Sequence, residues 1–127
     1  MSLNLNTIKS SERVIEIIHP ATNEPVGIRF TIVSLDDKKL ARLKRQFTDK
    51  RLQAEARGRS VTAEQIEENE NTLLFAAITG WEWYDADIDG EKPEFNRAKI
   101  TFVLNEYPWI KRQLSEEVGA VERFFGN

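Results

Sequence analysis

The chain has no cysteine and a single histidine among its 127 residues. Without cysteine there is neither a disulfide nor a thiolate nucleophile, and one imidazole does not make a histidine-based metal site. No apolar run approaches the roughly 20 residues that a membrane helix needs. The opening Met1-Ser2-Leu3-Asn4 carries no basic n-region and no apolar h-region, so the chain is expected in the cytoplasm and away from membranes. The glycine patterns that cradle phosphates or dinucleotides are absent, as is the nucleophile elbow of hydrolases. No repeat, low-complexity tract or Gly/Ser linker divides the chain, so the expectation is one domain over residues 11–127 behind a loose tail over residues 1–10. No catalytic residue, cofactor or metal is expected, and the chain reads as a non-enzyme.

What is present is ordinary in amount and uneven in placement. Apolar residues make up 40% and charged residues 31%, as in a globular protein. The segment from Gly80 to Phe125 holds all three tryptophans, both tyrosines and four of the seven phenylalanines, so this end is built to pack and to bind. Near the other end, Val14, Ile15, Ile17 and Ile18 form a β-branched run that stops at His19-Pro20-Ala21-Thr22-Asn23-Glu24-Pro25. Val26, Ile28, Phe30 and Ile32 then alternate with Gly27, Arg29 and Thr31, the period of a half-buried strand. Helical spacing follows. Ser34-Leu35-Asp36-Asp37 has the form of a helix start, with Leu40, Leu43, Phe47 and Ala54 on one face.

Thr62-Ala63-Glu64-Gln65 is a capping box ahead of Ile66, Leu73, Leu74 and Ala77. Phe75 and Ile78 make the end of that helix apolar nearly all round. After a turn-like stretch, Ile100, Val103, Leu104 and Tyr107 resume the helical spacing. Pro108 then opens a last helix with Ile110, Leu114, Val118, Val121 and Phe125 on its inner stripe. The expected fold class is α+β: an N-terminal β-hairpin over about 12–33 packed on a mainly helical body over about 35–57, 62–79, 96–106 and 108–125.

Three features invite a chemical reading. Asp85-x-Asp87-x-Asp89-Gly90 matches the first half of a calcium loop, but its twelfth position is Asn96 where a bidentate glutamate is required. It therefore reads as an acidic β-turn with Asp89-Gly90 at its tip. From Asp36 to Ser60 there are nine Lys and Arg against four acids, whereas Val61 to Glu94 has one lysine against ten. That basic helix is either a solvated face, a complement to the next segment or a neighbouring subunit, or a nucleic-acid contact, with Arg42 and Arg45 as its candidate partner-binding residues. Phe47 is its only aromatic, and the net charge of −3 disfavours nucleic acid. His19, before a proline, reads as a turn residue.

The order of these features resembles the tail assembly chaperones of long-tailed, siphovirus-type bacteriophages. The resemblance runs from the strand pair around Pro20-Ala21-Thr22-Asn23-Glu24-Pro25-Val26-Gly27 through Ser34-Leu35-Asp36-Asp37 and Ala77-Ile78-Thr79-Gly80-Trp81. It continues through the acidic turn and Pro93-Glu94-Phe95-Asn96 to Tyr107-Pro108-Trp109-Ile110. It implies a small non-enzymatic α+β protein of the host cytoplasm that binds the tape-measure protein, keeps its apolar helices soluble, helps recruit tail-tube protein, and is absent from the mature virion. No site transfers residue by residue. A chaperone of this kind needs apolar surface and oligomeric avidity, including a homo-oligomer, rather than a reactive centre. Trp83, Trp109 and Phe124 are expected to stay outside the core and supply that surface. The alternatives are a nucleic-acid-binding regulator acting through the basic helix 38–59 and a structural head–tail connector or other virion subunit.

Overall fold

The computed structural model describes residues 2–5 and 11–125. Most of the expected N-terminal tail, residues 1 and 6–10, lies outside the described residues, as do residues 126–127. The fold is α+β with an N-terminal hairpin, as the periodicity indicates. β1 (Arg13–Ile18) and β2 (Pro25–Ile32) pair antiparallel. Their connection is held by His19, whose Nδ1 accepts hydrogen bonds from the Ala21 and Thr22 N–H groups at 3.0 and 3.2 Å. Asn23 takes the left-handed conformation, φ 61°, which asparagine tolerates.

A third strand completes the sheet. β3 (Ile78–Trp83) pairs antiparallel with the far side of β2, giving the order β1-β2-β3. This corrects the expected helix over 62–79 and the turn-like stretch after it. A short apolar run fits a buried helix end and a buried strand equally by periodicity. Here the β-branched Ile78 caps the helix in extended conformation, and Trp81 and Trp83 then share the inner face with Phe30 and Ile28 opposite them. Thr79 is the extra residue of a bulge between the pairs Thr31↔Gly80 and Ile32↔Ile78.

Helices cover one face of this sheet. α1 (Lys38–Ala56) is capped by Asp37, which accepts from the Lys39 N–H, and not by Ser34. Ser34 is buried and its Oγ accepts from the Asp36 N–H, a local turn that delays the helix by three residues relative to the expected start at 35. α2 (Ala63–Ala77) opens with the expected capping box of Thr62 and Gln65. Ile66, expected on its inner face, is 49% exposed, because the first turns of α2 lie beyond the core. α3 (Arg97–Glu106) is capped by Asn96 and α4 (Pro108–Gly119) starts on Pro108. Ile15, Ile17, Ile28, Phe30 and Ile32 of the sheet form one buried cluster with Leu74, Ile100, Val103, Leu104, Ile110, Leu114 and Val118 of the helices. No helix among the described residues is long and apolar enough to cross a membrane.

The last helix is shorter than its stripe suggests. After Gly119 the chain tightens into a 3₁₀ turn, Val121–Phe125. At three residues per turn the inward position moves from Phe125 to Phe124. Phe124 is fully buried and Phe125 is 42% exposed, reversing the expected phase at this end. The Phe124 carbonyl accepts from the Ser11 N–H at 3.0 Å, and the Arg13 guanidinium lies 5.5 Å from the Phe124 ring centroid.

Polar ties fix α4 against β1. Gln113 accepts from the Ile18 N–H at 2.9 Å and donates to the Ile18 carbonyl at 2.7 Å. Glu117 is held by Arg13 at 2.6 Å and Arg123 at 2.7 Å. Burial alone pushes the Glu117 carboxyl up, but the hydrogen bonds and charges of Arg13 and Arg123 prevail and hold it below the ordinary glutamate value. A depressed carboxyl stabilises the fold fully above its unfolded value and loses that contribution as pH falls through the folded one. The expected result is that Glu117→Gln costs on the order of 1 kcal/mol at pH 7 and less in acid, read from urea midpoints of both proteins at both pH values. An equal difference at the two pH values would remove the charge from the account.

Candidate functional site

The acidic turn is built as the sequence suggests and used for structure. Asp89 and Gly90 both have positive φ, 53° and 87°, and the Ile88↔Glu91 bridge closes around them, the geometry of a type I′ turn. The Asp87 carboxylate accepts from the Gly90 N–H at 2.9 Å. Among the described residues no group of His, Cys, Asp or Glu is arranged to hold a metal ion.

Gly27 determines where that turn sits. Two extra residues of β2 interrupt the register between the pairs Glu16↔Arg29 and Ile18↔Pro25, and Gly27 adopts φ 100° within the bulge. Its carbonyl accepts from both the Tyr84 and Asp85 N–H groups, at 3.0 and 3.1 Å. A Cβ on Gly27 would lie 2.6 Å from the Asp85 carbonyl carbon, so only glycine lets the chain after β3 cross so close to β2.

This crossing creates an apolar pocket of about 250 Å³, lined chiefly by Val26, Ile28, Trp83, Ile88, Trp109 and Ile110, with Tyr107 beside them. β2 and β3 bring Ile28 and Trp83 as direct register partners. The acidic turn brings Ile88. Trp109, one residue after the helix-opening Pro108, is half-buried and packs edge-on against Tyr107, ring centroids 6.2 Å apart. Trp83 is 7% exposed, and its indole N–H is buried without an acceptor in the protein. The arrangement has room for a large apolar side chain and offers an aromatic edge to hold it.

No family model, curated protein or solved structure matches this chain.

The residues proposed from sequence for partner binding do not form one site. Trp109 reaches the surface beside the pocket as expected. Trp83 and Phe124 do not stay outside the core. Trp83 faces inward because it shares its strand face with Trp81 and the core, and Phe124 is turned in by the 3₁₀ geometry. Arg42 and Arg45 are exposed on α1, an element that packs on α2, and neither lines the pocket. Val26, Ile28, Ile88 and Tyr107 went unrecognised as site residues, since nothing local in the sequence joins them. The signal that bore on them was Gly27 inside a clean alternating strand, which marks a bulge or a close backbone approach.

A second concavity lies between α1 and α2. It encloses about 450 Å³ and is lined by Phe47, Ala54, Val61, Ile66 and Leu73 together with charged residues of both helices. Among the described residues no ion pair joins the two helices.

Proposed function

We infer that this chain is a non-enzymatic assembly chaperone that holds an apolar segment of a client protein at the Trp109 pocket. The sequence resemblance names the client: the tape-measure protein of a long-tailed phage, whose apolar helices need cover until tail-tube protein assembles around them. The observation that carries the reading is the half-buried Trp109 beside an apolar pocket assembled from β2, β3, the acidic turn and α4. Rigid aromatic anchors at the rim of a preformed apolar pocket are the usual source of affinity for a helix laid in a groove. The chaperone acts in the host cytoplasm and departs before the virion is complete.

Co-expression with a long-tailed phage's tape-measure protein is expected to raise that protein's soluble yield and give a co-purifying complex. Trp109→Ala should abolish co-purification, a loss of about 2 kcal/mol or more in binding, while the variant stays folded by circular dichroism. Since removal of apolar area dominates, 0.5 M salt should weaken the complex only modestly. Unchanged co-purification of Trp109→Ala would reject the pocket. Abundant recovery of the chain from mature virions would instead make it a structural subunit.

A further inference from the structure

The α1–α2 hairpin is an arm anchored at its base. Leu40 is the buried residue of α1, Leu74 and Ala77 are those of α2, and the intervening turns lie beyond the core. Along the arm, Leu52 is 53% exposed and Ile66 49%, while Phe47, Val61 and Leu73 are only half-buried around the groove. Charge is divided between the helices. α1 carries seven Lys and Arg against two acids, and α2 carries four glutamates with no Lys or Arg. Nevertheless, among the described residues, the single ion pair on the arm, Arg51 to Glu55 at 3.9 Å, lies within α1.

We propose that the arm is a self-association element: two copies pair their α1–α2 hairpins as a two-fold symmetric four-helix bundle, α1 of each lying along α2 of the other. A two-fold contact brings the same surface of each copy together, so a face that is basic on one helix and acidic on the other complements itself twice. A partner of one sign, such as nucleic acid, would be attracted by α1 and repelled by α2. The occupant favoured by the charges is therefore a second copy. Nineteen residues make α1 about 28 Å long, and two helices side by side are about 20 Å wide, so two apposed arms bury on the order of 1,100 Å², close to the area of a specific interface. The inference stands apart from the Trp109 pocket, which the bundle leaves open.

The test is the mass of the full chain in solution, by light scattering and sedimentation at micromolar to tens of micromolar concentration. The expected species has twice the 14.7 kDa chain mass. Ile66→Glu, at an exposed position, should raise the dissociation constant at least tenfold with unchanged circular dichroism. Two charge reversals separate this contact from any other dimer. Lys44→Glu/Arg51→Glu and Glu68→Lys/Glu70→Lys, all groove-lining positions, should each be monomeric alone and should form a heterodimer when mixed. A parent chain that is monomeric throughout overturns the proposal, and so does a dimer indifferent to Ile66→Glu. Absence of rescue on mixing does the same. A monomeric chain that retains duplex DNA through Lys44 and Arg51 overturns it as well and assigns the arm to nucleic acid. Each result is independent of client binding, which Trp109→Ala reports.

Discussion

Leu114→Asp is expected to leave the chain largely unfolded at 25 °C. Leu114 has no exposed surface and sits between Ile110 and Val118 on the buried stripe of α4. The substitution removes a fully buried aliphatic side chain, worth about 1.5–3 kcal/mol, and puts a carboxyl on the buried stripe of α4. The combined cost, on the order of 4–5 kcal/mol or more, is a large share of the 5–15 kcal/mol that holds a typical domain together. Urea denaturation followed by circular dichroism would show the midpoint collapse. Leu114→Met, which keeps volume and polarity, should stay within about 1.5 kcal/mol of the parent. A Leu114→Asp variant that melts like the parent would mean that α4 packs through another face.

Phe124→Ala should cost about 3–5 kcal/mol, the range for a buried aromatic truncated to a methyl group. Phe124 fills the space beneath β1 and accepts the Arg13 guanidinium over its ring, so the variant loses packing and a cation–π contact together. Its neighbour is the control. Phe125 is 42% exposed, and Phe125→Ala should change stability by well under half as much. The pair tests the phase of the 3₁₀ turn directly. A larger loss at Phe125 than at Phe124 would show that residues 121–125 continue α4 as an α-helix. The same result separates stability from function at this end: Phe124→Ala should lose client only by unfolding, whereas Trp109→Ala should lose it while folded.

The elements legible in the sequence were those whose signal is local. The alternation of Val26, Ile28, Phe30 and Ile32 defines β2, and the Thr62–Gln65 capping box and Pro108 mark true helix starts. Asp89-Gly90 sits at the tip of its turn because two successive positive φ values are needed there. Elements decided by tertiary context were not legible. β3 exists because β2 offers an unpaired edge to Ile78–Trp83, and without that partner the same residues extend a helical pattern. Phe124 and Phe125 are adjacent and chemically identical, so only the change from α to 3₁₀ geometry tells them apart. The candidate pocket was least legible. Of its lining residues, the sequence points to Trp83 and Trp109, and one of those is a core residue. The pocket is a product of the Gly27 bulge, which folds the acidic turn toward α4, and no spacing in the chain encodes that contact.

The way α4 is tied to β1 bears on aggregation. β1 is an edge strand, with Val14 62% exposed, and a bare edge of this kind templates pairing with any extended apolar chain. Ser11 engages the Phe124 carbonyl at one end of that edge, and Gln113 occupies both backbone groups of Ile18 at the other. The strand is thereby closed at both ends to lateral growth. A monomer with such an edge must not itself seed a sheet, and a glutamine reaching across from α4 secures that at one end of the strand.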